Sequence, residues 1–283
     1  MALNLGVVGK TTDASSYEYD WKDCVLYALG IGARTAELDY LYEVRGPKVY
    51  PTLAVVPAFP ANIAALSEIG GNMLTLVHGG QRIVVHRPFA SSGTLRTTAT
   101  VTGVYDKVKF GQVIVETKTT DEGGSLVAET VWSILYRGEG GFGGPPPPKL
   151  PADDVRPPER APDFTHEEAT AETQALLYRL SGDVNPLHAD PAIGQMAGFG
   201  KPILHGLCTY GHAARAVILH ACGGDGDRLR VFDAQFRKPV WPGDTLVTEG
   251  WKEPGGRVIF TVKTKEKGDA VITNAYAEIS ETR

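Results

Sequence analysis

The chain has 283 residues, 42% hydrophobic and 22% charged, with a formal net charge of −5. Those values suit a soluble globular protein of one large domain or two ordinary ones. They argue against a general nucleic-acid binder, and no apolar run approaches the roughly 20 residues of a membrane span. The N-terminus, Met1 to Asp13, lacks the basic start and apolar stretch of a secretory signal, and Glu281-Thr282-Arg283 is not a peroxisomal address. Cys24, Cys208 and Cys222 are widely spaced without a CxxC pair. They read as reduced, mostly buried thiols, which places the protein in the cytoplasm.

Along the first half, Val113 to Thr119 and Leu126 to Leu135 are rich in β-branched residues and flank Gly123-Gly124, the pattern of a hairpin. Residues 138–163 are then built from Gly, Pro and charges, so they read as a linker that no core crosses. Thr165-His166-Glu167-Glu168 has the form of a capping box and predicts a helix with Ala169, Leu176, Leu177 and Leu180 on one face. Two prolines and a glycine interrupt Ser181 to Pro191, which crowds Asp183, Asn185 and His188 together. A segment of this kind is either a turn whose polar side chains satisfy backbone groups or a stiff loop holding proton-transfer groups. Asp190-Pro191 predicts a helix start. From His205 to His220, apolar and small residues recur at spacings of three and four, predicting a helix with one buried face. Strands paired by turns at Glu253 to Gly256 and Lys267 to Asp269 follow.

The two halves echo each other. Val258 to Thr264 and Ala270 to Ile279 repeat the earlier hairpin; Lys238-Pro239 with Gly243 mirrors Arg87-Pro88 with Gly93; and Leu204-His205-Gly206 mirrors Val77-His78-Gly79. The pattern predicts a duplicated α+β fold, each copy a long central helix wrapped by antiparallel strands.

At three places the second half matches a known signature: Tyr178 to His188, Gly200 to Cys208, and Phe236 to Asp244. Together they resemble the hydratase 2 (MaoC-like) family of the hotdog fold. Tyr27 to Ala33 and Val77 to Gln81 are similar to the N-terminal hotdog of its two-domain members. Gly194 departs from the family pattern, which asks for Ala or Ser there. The resemblance implies a double hotdog: residues 1–137 non-catalytic and accommodating the acyl chain, 138–163 the linker, and 164–283 catalytic. It also implies a cofactor-free enzyme that hydrates trans-2-enoyl-CoA to (3R)-3-hydroxyacyl-CoA, with no nucleic-acid or membrane partner, and a homodimer of two-domain chains.

The residue types suit that chemistry. Hydration needs a base for water at C3, an acid for C2, and donors for a thioester oxygen that turns enolate-like. Asp183 and His188, with ordinary pKa values of about 3.9 and 6.5, can hold and pass protons around one water, and the choice of base between them stays open. Both lie on one loop, which implies syn addition. Asn185 is expected to orient the water or the thioester. Gly206 opens the long helix, where backbone N–H groups lack partners, and is the candidate oxyanion donor. Arg237 and Lys238 are candidate contacts for the CoA phosphates.

Other readings compete. Asp183, His188, Asp190 and His205 show no recognised zinc spacing, so no metal is expected. His205 reads as a structural neighbour of Gly206, and His78, His86, His166, His212 and His220 as structural or surface residues. Cys208 has no evident base partner and reads as packing. Gly138 to Gly144 lacks the context of a phosphate loop. A hotdog thioesterase and a non-catalytic acyl-CoA-binding module are the functional rivals.

Overall fold

Alternation along the strands sets the architecture. Between Gly93 and Asp106, Leu95, Thr97, Ala99 and Val101 turn inward while the residues between them lie nearer solvent, the two-residue period of a strand covered on one face. The computed structural model describes residues 3–281. Met1, Ala2, Thr282 and Arg283, the last two belonging to the C-terminal tripeptide noted above, lie outside the described residues.

In chain order the first repeat comprises β1 (Ser15–Tyr19), α1 (Trp21–Gly30), α2 (Leu38–Leu41), α3 (Val55–Ile69), β2 (Leu76–Val85), β3 (Gly93–Asp106), β4 (Phe110–Asp121) and β5 (Leu126–Arg137). The second comprises β6 (Phe164–Ala169), α4 (Gln174–Tyr178), α5 (Pro191–Met196), α6 (Gly206–Ala221), β7 (Leu229–Phe236), β8 (Thr245–Glu253), β9 (Arg257–Thr264) and β10 (Ala270–Ile279). All strands join one ten-stranded antiparallel sheet, ordered β1-β3-β4-β5-β2-β7-β10-β9-β8-β6. Its two halves run in mirrored order and meet where β2 pairs with β7, Gly80 opposite Gln235 and Val84 opposite Val231. The long helices α3 and α6 lie against the sheet. This is the double hotdog expected from the sequence, an α+β fold.

Five local expectations need correction. Thr165 to Glu168 forms strand β6, not a helix start: burial alternates along it and it pairs with β8. The helix opens only at Gln174, and it buries Gln174, Ala175 and Tyr178 while Leu176 and Leu180 are exposed. The Val77-His78-Gly79 match is not a structural repeat, because it lies inside β2 whereas His205-Gly206 opens α6. Three matching residues without a shared period do not specify an element. Gly79 belongs to a β-bulge between His78 and Gly80, where a Cβ would lie 2.9 Å from the Leu135 side chain.

The linker is also more than a spacer. Pro151–Asp154 forms a 3-10 turn that buries Ala152 and Val155 with Val231 and Tyr276 on the outer side of the sheet. There Asn274 donates to the carbonyls of Ala152 (3.2 Å) and Asp153 (2.8 Å). Helix α6 has no single buried face; every residue from Leu207 to Ile218 is buried. The sheet covers one side and the first repeat presses on the other, so close that a Cβ at Gly211 would meet Ile31 at 2.3 Å. Finally, Pro51–Ile69 is 19 residues long and apolar enough to cross a membrane by length and composition. Its central position in the first repeat accounts for that apolarity, because most of it is buried in the protein core.

Candidate active site

The loop between α4 and α5 is assembled from side-chain caps. Gly182, at φ 124°, takes the left-handed turn that frees the loop from the preceding 3-10 turn. The Asp183 carboxylate then accepts from the Asn185 N–H at 3.2 Å, and the Asn185 side-chain amide oxygen accepts from the Leu187 N–H at 3.0 Å. Asp190 caps α5 through the Ala192 N–H, with Pro191 in the first helical position. Here the polar side chains hold the backbone, and the same caps bring Asp183 and His188 to one place.

His188 is buried, and its Nδ1 lies 2.8 Å from the Ile203 carbonyl. A carbonyl only accepts, so Nδ1 carries the proton and Nε2 keeps a free lone pair. Asp183, His188 and His205 each present a ligand-type atom within 4.8 Å of the others. Burial raises Asp183 above the ordinary carboxylate range, with His188 opposing; burial lowers His188, with Asp183 opposing. His205 is held down to about 2, first by burial and then by His188, so it stays neutral.

Gly206 is the first residue of α6. The first intrahelical bonds come from the N–H groups of Cys208 and Thr209 to the His205 carbonyl, which leaves those of Gly206 and Leu207 without an acceptor inside the helix. A Cβ at Gly206 would rest in ordinary contact with the Phe236 ring, at 3.6 Å. Packing therefore does not demand glycine at 206. At Gly194 it does: a Cβ would lie 2.5 Å from the Lys201 carbonyl carbon.

The other expected residues are more exposed than the dyad. Asn185 is exposed; its side-chain oxygen already accepts from the turn, and its amide N–H₂ faces no such commitment and can meet a ligand. Arg237 and Lys238 are exposed beyond the end of β7, where Arg237 donates to Gln235, Thr273 and Asn274.

A buried charge network escaped the sequence reading. Arg215, at 1% exposure, donates to Glu37 (2.5 and 3.0 Å), to Glu168 (2.8 and 3.0 Å) and to the Ile31 carbonyl (3.1 Å). His212, expected to be merely structural, bonds Glu168 at 2.9 Å. The Cys208 thiol and the Gln174 amide both reach the Gly30 carbonyl, so the C-terminal end of α1 is capped by side chains of the other repeat. An arginine inside an otherwise apolar helical stretch was the available signal.

Comparisons with known proteins agree with this architecture. The MFE-2 hydratase 2 N-terminal domain matches residues 17–138 and the MaoC like domain matches 153–275. The chain is 41% identical to 3-hydroxyacyl-thioester dehydratase Y of Mycobacterium tuberculosis, over 92% of this chain and 91% of the relative. It is 38% identical to the peroxisomal enoyl-CoA hydratase 2 of Arabidopsis thaliana, over 93% and 91%. Among solved structures, a MaoC-like dehydratase from Phytophthora capsici superposes with a TM-score of 0.89 at 33% identity, covering 98% of both chains. The fold and the site thus define a double-hotdog protein whose acid–imidazole loop lies beside a helix N-terminus. The chain belongs to the hydratase 2 (MaoC-like) family.

Proposed function

We propose that the protein is a hydro-lyase that adds water reversibly across the double bond of a trans-2-enoyl-CoA, giving the (3R)-3-hydroxyacyl-CoA, in fatty-acid metabolism. The carrying observation is the bare Nε2 of His188, fixed by the Nδ1 bond to Ile203, beside Asp183 and close to the start of α6. His188 takes a proton from water as the water oxygen bonds to C3. The electron pair of the double bond moves toward the thioester oxygen, to which the Gly206 N–H donates a hydrogen bond. The Asp183–His188 pair then returns the proton to C2 on the same face, restoring its starting state and making the addition syn.

Arg237 and Lys238 are assigned to the CoA phosphates, and the Asn185 amide to the thioester end of the substrate. Residues 1–137 and 164–283 act as one unit around a single site, with 138–163 joining them. The first half takes the place of a partner subunit and accommodates the acyl tail. The three buried, unpaired thiols suit a cytoplasmic setting, and two chains are expected to associate as a homodimer.

Incubation with crotonyl-CoA tests the reading. Expected are loss of the enoyl-thioester absorbance without release of free CoA, formation of the (3R) alcohol, and activity that survives exhaustive chelation. Free thiol release would identify a thioesterase, and activity restored only by added metal would make Asp183, His188 and His205 metal ligands.

A further inference from the structure

His205 has no part in the proton transfer proposed above, yet it touches both groups that do. It occupies the N-cap position of α6 but makes no side-chain cap bond, although that is what a residue at this position ordinarily supplies. Its side chain crosses instead to the catalytic loop, where Nε2 lies 3.0 Å from the Asp183 carbonyl. Nε2 therefore carries the proton and donates it. The same ring lies against His188, with centroids 3.7 Å apart and planes 25° from parallel, and it meets Tyr178 at 4.9 Å. At 1% exposure it has no freedom to swing away.

The caps order the loop backbone, and His205 adds a tie between its two ends. Gly182, Val184, Asn185 and Pro186 are exposed, and His188 ends the single short 3-10 turn, Pro186–His188, that follows Asn185. One rigid ring, bonded to the backbone of Asp183 and stacked on the side chain of His188, ties the two directly to each other. That ring also immediately precedes Gly206, so the acid–imidazole pair and the oxyanion donor are referred to one helix end. Misplacement by about 1 Å costs on the order of 10²-fold in rate, so such a tie has kinetic weight.

We propose that His205 is a positioning residue for hydration, holding Asp183 and His188 at their working separation through its Nε2–H bond and its stacked ring. The inference rests on the hydratase reading. Its Nδ1 is buried without a partner among the described residues, and the test separates the two nitrogens. His205→Gln keeps a donor near the Nε2 position, His205→Asn places its amide near Nδ1, and His205→Leu keeps neither. Steady-state kinetics with crotonyl-CoA, beside thermal melts, are the measurement. His205→Leu and His205→Asn should lose roughly 10- to 100-fold in kcat with KM changed by less than about threefold, as expected of lost orientation and not lost binding. His205→Gln should recover at least about tenfold of that loss. Leu at near-native kcat, or Gln no better than Asn, would overturn the proposal. Should His205→Leu fail to fold, the comparison of Gln with Asn decides alone. A wild-type protein that does not hydrate crotonyl-CoA sinks the hydratase reading itself, an outcome visible before any variant is made.

Discussion

In the proposed reaction Asp183 and His188 carry the heaviest chemical demand, and their surroundings decide how they would meet it. Replacing Asp183 by Asn or His188 by Ala should leave the fold intact and lower kcat by about 10²–10⁴, the reach of general acid–base groups. Because the two act as a unit, the double variant should cost far less than the product of the singles; steady-state kinetics on purified, folded variants check both statements. The pH dependence follows from the site. Burial lowers His188 while Asp183 opposes it, so the neutral imidazole survives below its ordinary pKa of about 6.5. Hydration kcat/KM should therefore stay level through neutrality and fall only below about pH 6.5 as the pair takes up a proton. Asp183 and His205 are the titratable groups that face that imidazole, and Arg179 and Tyr178 stand behind them against His205. Asp183→Asn removes the charge that raises His188, so the residual activity of that variant should fall at still lower pH.

Helix α6 is the element on which the site depends, and it is held by charge as much as by packing. Its Arg215 bridges Glu37 of the first repeat and Glu168 of β6, all three nearly out of solvent. Burial alone would raise Glu168, but His166, His212 and Arg215 more than reverse this and depress it well below the carboxylate range. A depressed carboxylate adds stability above its unfolded pKa of about 4.3 and loses it only as pH falls toward the folded value. The clamp is therefore intact at neutral pH. Arg215→Met takes the guanidinium from two buried carboxylates, leaving Glu168 with Arg34 and His212 and Glu37 with the Tyr50 hydroxyl and the Arg34 N–H, and should destabilise the protein by about 3 kcal/mol. Denaturant melts at pH 7 measure this, and part of the loss should return near pH 4, where both carboxyls of the variant can protonate.

At the scale of the whole molecule, the first repeat reaches toward the site across the seam between β2 and β7. His78 stacks on Trp132 with centroids 5.2 Å apart and meets Phe236 at 5.0 Å, and Phe236 is the ring beside Gly206. Burial lowers His78 to about 4, so it stands there as a neutral aromatic ring. If the first half accommodates the acyl tail, each CH₂ it covers contributes roughly 0.8 kcal/mol, and a bulkier wall should penalise long tails selectively. His78→Trp and comparable enlargements across residues 20–80 should raise KM for C16 and branched enoyl-CoAs while sparing crotonyl-CoA. Folded variants that lose both activities equally, or neither, would make the first half a structural partner only.

Much of this was legible in the sequence because it is local. The β-branched and apolar strand segments from Val113 to Leu135 and from Val258 to Ile279, the Asp190-Pro191 helix start, the long helix after His205 and the acid–amide–imidazole loop all rest on neighbours a few residues apart. Periodicity and capping report such neighbours directly. Only the tertiary structure decided the rest. Thr165 to Glu168 satisfies a capping rule yet forms an edge strand, because β8 pairs with it and Arg215 waits for Glu168 inside. The Gly/Pro segment folds onto the sheet because Val231, Tyr276 and Asn274 lie there to receive it. The contact of His205 with both Asp183 and His188 spans up to 22 residues, and the Glu37–Arg215 clamp spans 178. A buried charge or a stacked ring is specified by its partner, and a partner that distant in the chain leaves no periodic trace beside it.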